Sequence, residues 1–304
     1  MKVFLTGGLG NQLFQLAAAV ENSQGKIELI TKIGNPRLSE KGDPEIASFG
    51  LPDFVSIQSP PMNFKKFTVK VIGLNLRAHF NPKKFENGLL WVYRSLGNVY
   101  LSAIFRRVLR LRVGRDVGFT PIGKLRSNDF LVGYFQSFKY LSRITLDQLS
   151  ALEVREPSRD FLSYLERLQG KRILVVHVRL GDYMNEPKIG TLSQEYYQRA
   201  LQEIDLTKID QTLVFSDSPE LVKGYLPKEL SPNFEIVPKT FTSAETLMLM
   251  KAGSDFIISN STFSWWGAML SQNRNRRVIA PTPWFIAQDE PKDLLPSSWI
   301  KVKR

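Results

Sequence analysis

Cysteine is absent from this 304-residue sequence, which excludes a disulfide framework, a thiolate zinc site and a cysteine nucleophile, and fits a reducing compartment. Histidine is nearly absent: only His79 and His177 occur, too few for a multi-histidine metal centre. There is no Asp-x-Asp pair, so the usual carboxylate platform for a metal bound to a sugar nucleotide diphosphate is missing. Long apolar runs are also missing. The stretch Ile173–Val178 falls far short of the ~20 residues that span a bilayer. The N-terminus enters a strand-like run at Lys2, so no signal peptide is expected. The Gly8-Leu-Gly10 turn lacks the third glycine of the dinucleotide fingerprint, Leu13 standing in its place, and no Walker lysine follows. NAD and P-loop chemistry are therefore disfavoured.

The composition that remains, 43% hydrophobic and 23% charged, is that of a globular protein. The length allows two domains and a sizeable core. The reading at this point is a soluble, intracellular protein. Its charge is unevenly placed. Lys plus Arg number 41 against 29 Asp plus Glu, a net +12. Between Pro60 and Arg126 stand 14 basic residues against two acidic ones, Glu86 and Asp116, so this window carries the whole excess. A regional excess points to an anionic partner at one surface. Within it, Tyr100 to Arg112 reads as an amphipathic basic helix with Ile104, Val108 and Leu111 on one stripe. A core-packed helix with a solvated basic face, a membrane-surface helix and a site for an acidic acceptor all fit that pattern. A nucleic-acid partner is not expected, because no RNA- or DNA-binding motif accompanies the charge.

Hydrophobic spacing predicts a strand over Lys2–Thr6 and a helix over Asn11–Val20, then loops with little regular structure over residues 34 to 61. A strand is expected over Phe130–Phe135 and a bridging helix over Arg159–Gln169. The second half alternates more plainly. Ile173–Val178 is a near-continuous apolar run, as in a strand buried on both faces of a parallel sheet. Helices over Leu192–Ile204, Ala244–Ala252 and Ser264–Gln272 alternate with strands over Thr212–Phe215, Phe256–Ile258 and Val278–Ala280. This spacing argues for a doubly wound α/β domain. The chain divides into an N-terminal lobe, 1–168, holding the basic region 60–126, and a C-terminal lobe, 169–304.

Ligands of open α/β sheets sit beyond the carboxyl ends of the strands. Three strands of the second half end there in polar clusters: His177 to Tyr183, Ser216 to Ser218, and Ser259 to Ser264 at a helix start. Ser261 or Thr262 reads as an N-cap or as part of a phosphate cradle at that helix terminus. Arg179 reads as the ion-pair partner of Asp182 or as a ligand of a diphosphate or carboxylate. His177 reads equally as a hydrogen-bonded core histidine or a ligand, and Trp265 and Trp266 as core or cleft wall. Asp217 suits a turn cap or an acceptor from a guanine amine or ribose hydroxyl.

Six blocks together carry a resemblance. Gly7-Gly-Leu-Gly-Asn-Gln-Leu-Phe-Gln15, Gly133-Tyr-Phe-Gln-Ser137 with Tyr140, His177-Val-Arg-Leu-Gly-Asp-Tyr183, Phe215-Ser-Asp217, Asn260-Ser-Thr-Phe-Ser-Trp-Trp-Gly267 and Ile279-Ala-Pro281 with Trp284-Phe285 resemble the α-1,2-fucosyltransferases of glycosyltransferase family eleven. The blocks keep the family's order, and residues 34 to 128 carry none of them. The resemblance implies a GT-B-like α/β fold, two Rossmann-type lobes facing across a cleft, with acceptor on the first and GDP-fucose on the second. It implies inverting transfer of L-fucose from GDP-β-L-fucose to the 2-hydroxyl of a terminal galactoside on a surface polysaccharide or oligosaccharide, with no metal and no cofactor. It further implies that Arg179 holds the β-phosphate and His177 lines the same pocket. Asp217 would read guanine or ribose, and Ser261, Thr262, Phe263 and Ser264 would bind the diphosphate. Gly8, Asn11 and Gln12 would reach the donor from the other lobe.

Asp182 and Glu186 are the nearest candidates for the carboxylate base that inversion calls for. Two departures stand out. Many relatives have a second arginine where this chain has Leu180, and an acidic residue is expected near position 246, where Thr246 stands beside Glu245. The expected partners are GDP-fucose, a galactose-terminated glycan and an anionic membrane surface touched through residues 60–126. The expected location is cytoplasmic, peripheral at the inner face of the membrane. A GDP-fucose transferase of another linkage and a catalytically silent GDP-sugar-binding protein are the alternatives.

Overall fold

The structure is a computed structural model and describes residues 1–31, 36–58, 110–114, 117–230, 234–273, 275–287 and 289–304. In the first part of the chain, β1 (Lys2–Phe4) leads into α1 (Leu9–Asn22), followed by β2 (Ile27–Ile30) and β3 (Val55–Gln58). Next come β4 (Leu111–Val113) and β5 (Phe130–Val132). These strands form one parallel sheet in the order β3-β2-β1-β5-β4. α1 forms because Leu9, Leu13, Leu16 and Ala17 fall on one face, and all four are buried. Residues 34 to 61 are more regular than expected, since they include a 3-10 turn at Glu45–Ser48 and all of β3. The stripe expected over Tyr100–Arg112 lies outside the described residues up to position 109. Its last residues, Leu111 and Arg112, are in strand β4 rather than helix. A three-residue edge strand leaves too little alternation to outweigh a helical pattern upstream.

α2 (Arg143–Ser150) and α3 (Arg159–Arg167) lead into the second sheet. Its elements are β6 (Ile173–Val178), α4 (Gln194–Leu201), β7 (Gln211–Ser216), β8 (Phe234–Ile236), α5 (Ser243–Lys251), β9 (Asp255–Ile257), α6 (Thr262–Leu270), β10 (Arg277–Thr282) and β11 (Ile300–Lys303). All pairings are again parallel, in the order β11-β10-β9-β6-β7-β8. All six residues of β6 are buried, as a central strand covered on both faces requires. Leu174, Val176 and Val178 pack with Tyr196, Tyr197, Ala200 and Val214 into a core between β6, β7 and α4. Trp265 and Trp266 are both fully buried core residues, and Trp265 Nε1 donates to the Leu294 carbonyl at 2.9 Å.

The chain thus holds two α/β units, each built on a parallel sheet, as a GT-B-like architecture requires. The units are Met1–Leu146 and Asp147–Arg304, so they divide ahead of the 168/169 position read from the sequence. The reason is local: α3 is tied to the second unit. Tyr164 Oη donates to Glu235 at 2.7 Å, and its ring meets Phe241 edge-on. Among the described residues no helix is long and apolar enough to cross a membrane.

Candidate active site

In the second unit the chain runs from β6 outward through β7 to β8, then returns to the other side of β6 with β9 and continues to β11. The switch point therefore lies between β6 and β9, which is where open α/β sheets leave a crevice at the carboxyl edge. The three polar clusters emerge there, from the adjacent strands β9, β6 and β7.

His177 is the fifth residue of β6 and is 4% exposed. A 2.7 Å hydrogen bond joins its Nδ1 to Ser259 Oγ at the end of β9. Burial, reinforced by the Arg179 guanidinium, pushes its pKa down to about 3, so the imidazole is neutral at ordinary pH. Phe263, in the first turn of α6, lies against the same ring at 6.3 Å between centroids.

Arg179 follows directly. Its Nη2 meets Asp182 Oδ1 at 2.7 Å, its Nη1 meets Asp217 Oδ2 at 3.1 Å, and its guanidinium carbon sits 5.1 Å from the Tyr183 ring. Its buried Nε has no hydrogen-bond partner among the described residues. The Tyr183 hydroxyl interacts with the Ser261 side chain, which links the cluster to α6. Ser261 is the N-cap, accepting from Phe263 N at 3.3 Å. Seven buried or half-buried side chains from three strand ends and one helix start therefore converge, among them a cation with its Asp217 carboxylate, a neutral imidazole, a phenol and the hydroxyl-capped positive end of a helix dipole. Such a constellation suits an anion.

The expected site residues do not all share this place. Ser264 is buried and bonded to the Ser259 and Ser261 carbonyls within the first turn of α6, while Thr262 remains half-buried. Asp182 is 62% exposed and engaged with Arg179. Glu186 is exposed at the end of the 3-10 turn, where its Oε1 accepts from Lys188 N at 3.4 Å. Glu245 does not stand in for the acid expected near position 246. It is 2% exposed, completes the capping box of α5 with Thr242, and accepts from Ser158 N at 2.7 Å.

The first unit has its own polar turn after β1. Gly7 adopts φ +74°, and a Cβ there would collide with the Asn11 amide, so the turn requires glycine. Asn11 Oδ1 accepts from Gln136 Nε2 at 2.9 Å. Gln12 is a buried brace rather than an available ligand. Its Nε2 donates to the Gly7 and Arg37 carbonyls, and its Oε1 accepts from Ile46 N at 2.9 Å. Gly8 is the N-cap of α1 and offers no side chain; the Glu45 carboxylate accepts from Leu9 N at 2.6 Å instead.

Sequence reasoning missed Ser259, Tyr183 and Gly181 as members of the cluster. All three lie inside the polar runs read from the sequence, His177 to Tyr183 and Ser259 to Ser264.

A family model described as glycosyl transferase family 11 matches residues 94–302. An O-antigen biosynthesis glycosyltransferase, WbnK, from Escherichia coli is 33% identical over 134 residues, 42% of this chain and 43% of that protein. The chain thus aligns with less than half the length of that relative. An Escherichia coli alpha-1,2-colitosyltransferase is 24% identical over 324 aligned positions, covering 99% of this chain and 98% of the relative. A Caenorhabditis elegans galactoside 2-alpha-L-fucosyltransferase is 27% identical over 184 residues, 56% of this chain and 51% of its own.

Proposed function

Because this chain belongs to glycosyl transferase family 11, we propose that it is an inverting α-1,2-fucosyltransferase that uses GDP-β-L-fucose. The acceptor in this reading is the 2-hydroxyl of a terminal galactoside on a surface polysaccharide or oligosaccharide. The relatives named for O-antigen biosynthesis and for galactoside 2-fucosylation support that choice. The observation that carries the reading is the Arg179 guanidinium, whose buried Nε has no partner among the described residues, beside neutral His177 and the capped start of α6.

Departure of GDP builds negative charge on the β-phosphate while the sugar becomes oxocarbenium-like. A fixed guanidinium and helix N–H groups stabilise that leaving group without reorganising. His177, uncharged, adds a hydrogen-bonding wall without a second positive charge. The acceptor oxygen attacks the opposite face as the bond to the β-phosphate breaks, in one displacement, and its proton is released to water. Asp182 is engaged with Arg179 and Glu186 stands outside the cluster, so neither is assigned as base. No metal enters this reading, in keeping with the missing Asp-x-Asp pair. We further propose that the enzyme is cytoplasmic and that residues 60–126 meet the anionic inner face of the membrane.

The test is GDP release from GDP-fucose in EDTA, with lactose, N-acetyllactosamine or galactosyl-β-1,3-N-acetylhexosamine as acceptor, and NMR of the product. Acceptor-dependent release and an α-1,2 linkage are expected. Absence of both turnover and GDP binding would overturn the reading. One observation favours a second donor: the relative aligned over nearly the whole chain is named a colitosyltransferase. A colitosyl donor turned over with the higher kcat/KM would replace fucose.

A further inference from the structure

Asp217 sits just beyond the end of β7 and is committed on both oxygens. Oδ1 accepts from the Leu180 backbone N–H at 2.9 Å, and Oδ2 pairs with Arg179 Nη1 at 3.1 Å. The turn after β6 is shaped around it: a Cβ on Gly181 would collide with Asp217 Oδ2. Asp182 holds the same guanidinium quite differently. Its side chain is 62% exposed, against 23% for Asp217, and among the described residues its carboxylate meets Arg179 Nη2 alone, at 2.7 Å. We infer that Asp217 is a positioning residue that fixes the Arg179 guanidinium, and that Asp182 is the displaceable counter-ion which an incoming diphosphate replaces.

The two carboxylates differ in what leaving would cost. Withdrawing Asp217 would orphan the Leu180 N–H and take from the half-buried guanidinium its less exposed carboxylate partner, and both penalties are large where water is scarce. Withdrawing Asp182 breaks only an ion pair open to solvent, which is worth little. A diphosphate oxygen can therefore take over Nη2, while Asp217 keeps the guanidinium plane in place from Nη1. Each Asp217 oxygen already has one partner, and one further lone pair remains on each. Positioning Arg179 is therefore a task separate from reading guanine or ribose, and binding measurements can tell the two apart. The identity of the anion rests on the fucosyltransferase reading; the positioning of Arg179 does not.

The experiment compares the full-length wild type with Asp217→Asn and Asp182→Asn in two arms. Calorimetry measures GDP and guanosine binding. Asp217→Asn should weaken GDP at least tenfold while leaving guanosine within twofold. Asp182→Asn should tighten GDP severalfold at low salt. Equal weakening of GDP and guanosine by Asp217→Asn would make Asp217 a nucleoside reader, and weaker GDP binding by Asp182→Asn would remove the counter-ion role. Either result overturns the proposal.

The second arm is ¹⁵N NMR of the Arg179 side chain, assigned through Arg179→Lys. Restricted guanidinium rotation should be present in wild type and Asp182→Asn and lost in Asp217→Asn. Its persistence in Asp217→Asn overturns the proposal. Should wild type bind no nucleotide, the donor reading fails and this arm alone decides the positioning. If Asp217→Asn does not fold, Gly181→Ala, whose added Cβ displaces the same carboxylate, is read in its place.

Discussion

His177 illustrates how one buried side chain links folding to chemistry. Its imidazole is held neutral first by burial and then by the nearby Arg179 charge, with a pKa of about 3. In the unfolded chain a histidine titrates near 6.5. Between these two values the unfolded chain binds a proton that the native state refuses, so stability falls as pH drops through that window. At pH 5 the loss is about 2 kcal/mol. Urea unfolding at pH 7 and pH 5 should show this drop in wild type and a much smaller one in His177→Gln. Equal drops in both would contradict the assignment. Arg179, two residues on, has the opposite character, a permanent charge kept half-buried. Arg179→Ala should lower kcat/KM by at least about 100-fold, on the scale of removing one oxyanion-type donor, ~2–3 kcal/mol. A value within a fewfold of wild type would remove Arg179 from the chemistry. The position of both residues was legible, because a polar residue at the carboxyl end of an apolar run has few structural uses. The commitments of Asp217 and Gln12 were not. They depend on partners 37 and 25 residues away, Leu180 and Arg37, and no local pattern encodes those contacts.

At the level of elements, legibility followed burial. β6, buried throughout, stands in the sequence as an unbroken apolar run. β11 at the sheet edge reads Ile-Lys-Val-Lys, and β8 spans only three half-buried residues. Edge strands this short carry two or three informative positions and merge with loops. Helices α5 and α6 were found within two residues of their starts, and in both cases a side-chain cap sets the observed start. The cap of α5 does more than start a helix. Glu245 accepts from Thr242 N at 2.9 Å and from Ser158 N at 2.7 Å, which ties α5 to the N-cap of α3. Burial alone would raise the pKa of this carboxyl, but the Ser158 and Thr242 hydrogen bonds outweigh it and lower the pKa. The charged form is thus favoured in the fold, and the stability it contributes is present above the usual glutamate range and lost as pH falls through the lowered value. Glu245→Gln should cost about 1–2 kcal/mol of unfolding free energy. Guanosine and GDP binding should not change, and a loss of guanosine affinity at matched stability would return Glu245 to the nucleotide site.

Across the whole molecule, the two α/β units account for the described strands, while the net charge belongs to a stretch largely outside the described residues. The sequence without residues 60–126 is electrically balanced, and that window alone carries the +12. A charge spread evenly would serve solubility. One concentrated in a single stretch, in an enzyme proposed to act on surface glycans, fits an anionic lipid surface, where each Lys or Arg near the headgroups contributes about 1 kcal/mol. The attraction is screened within ~10 Å at 0.1 M salt, so it must weaken steeply as salt rises. The full chain should therefore co-sediment with vesicles containing anionic lipid at low salt, fail to do so with neutral vesicles, and be released at about 0.5 M salt, where the screening length has more than halved. Replacing Lys65, Lys66, Arg106 and Arg107 with glutamine should weaken that association at least about tenfold. Binding that ignores lipid charge and salt would instead assign the contact to apolar insertion and leave the basic window without a membrane role.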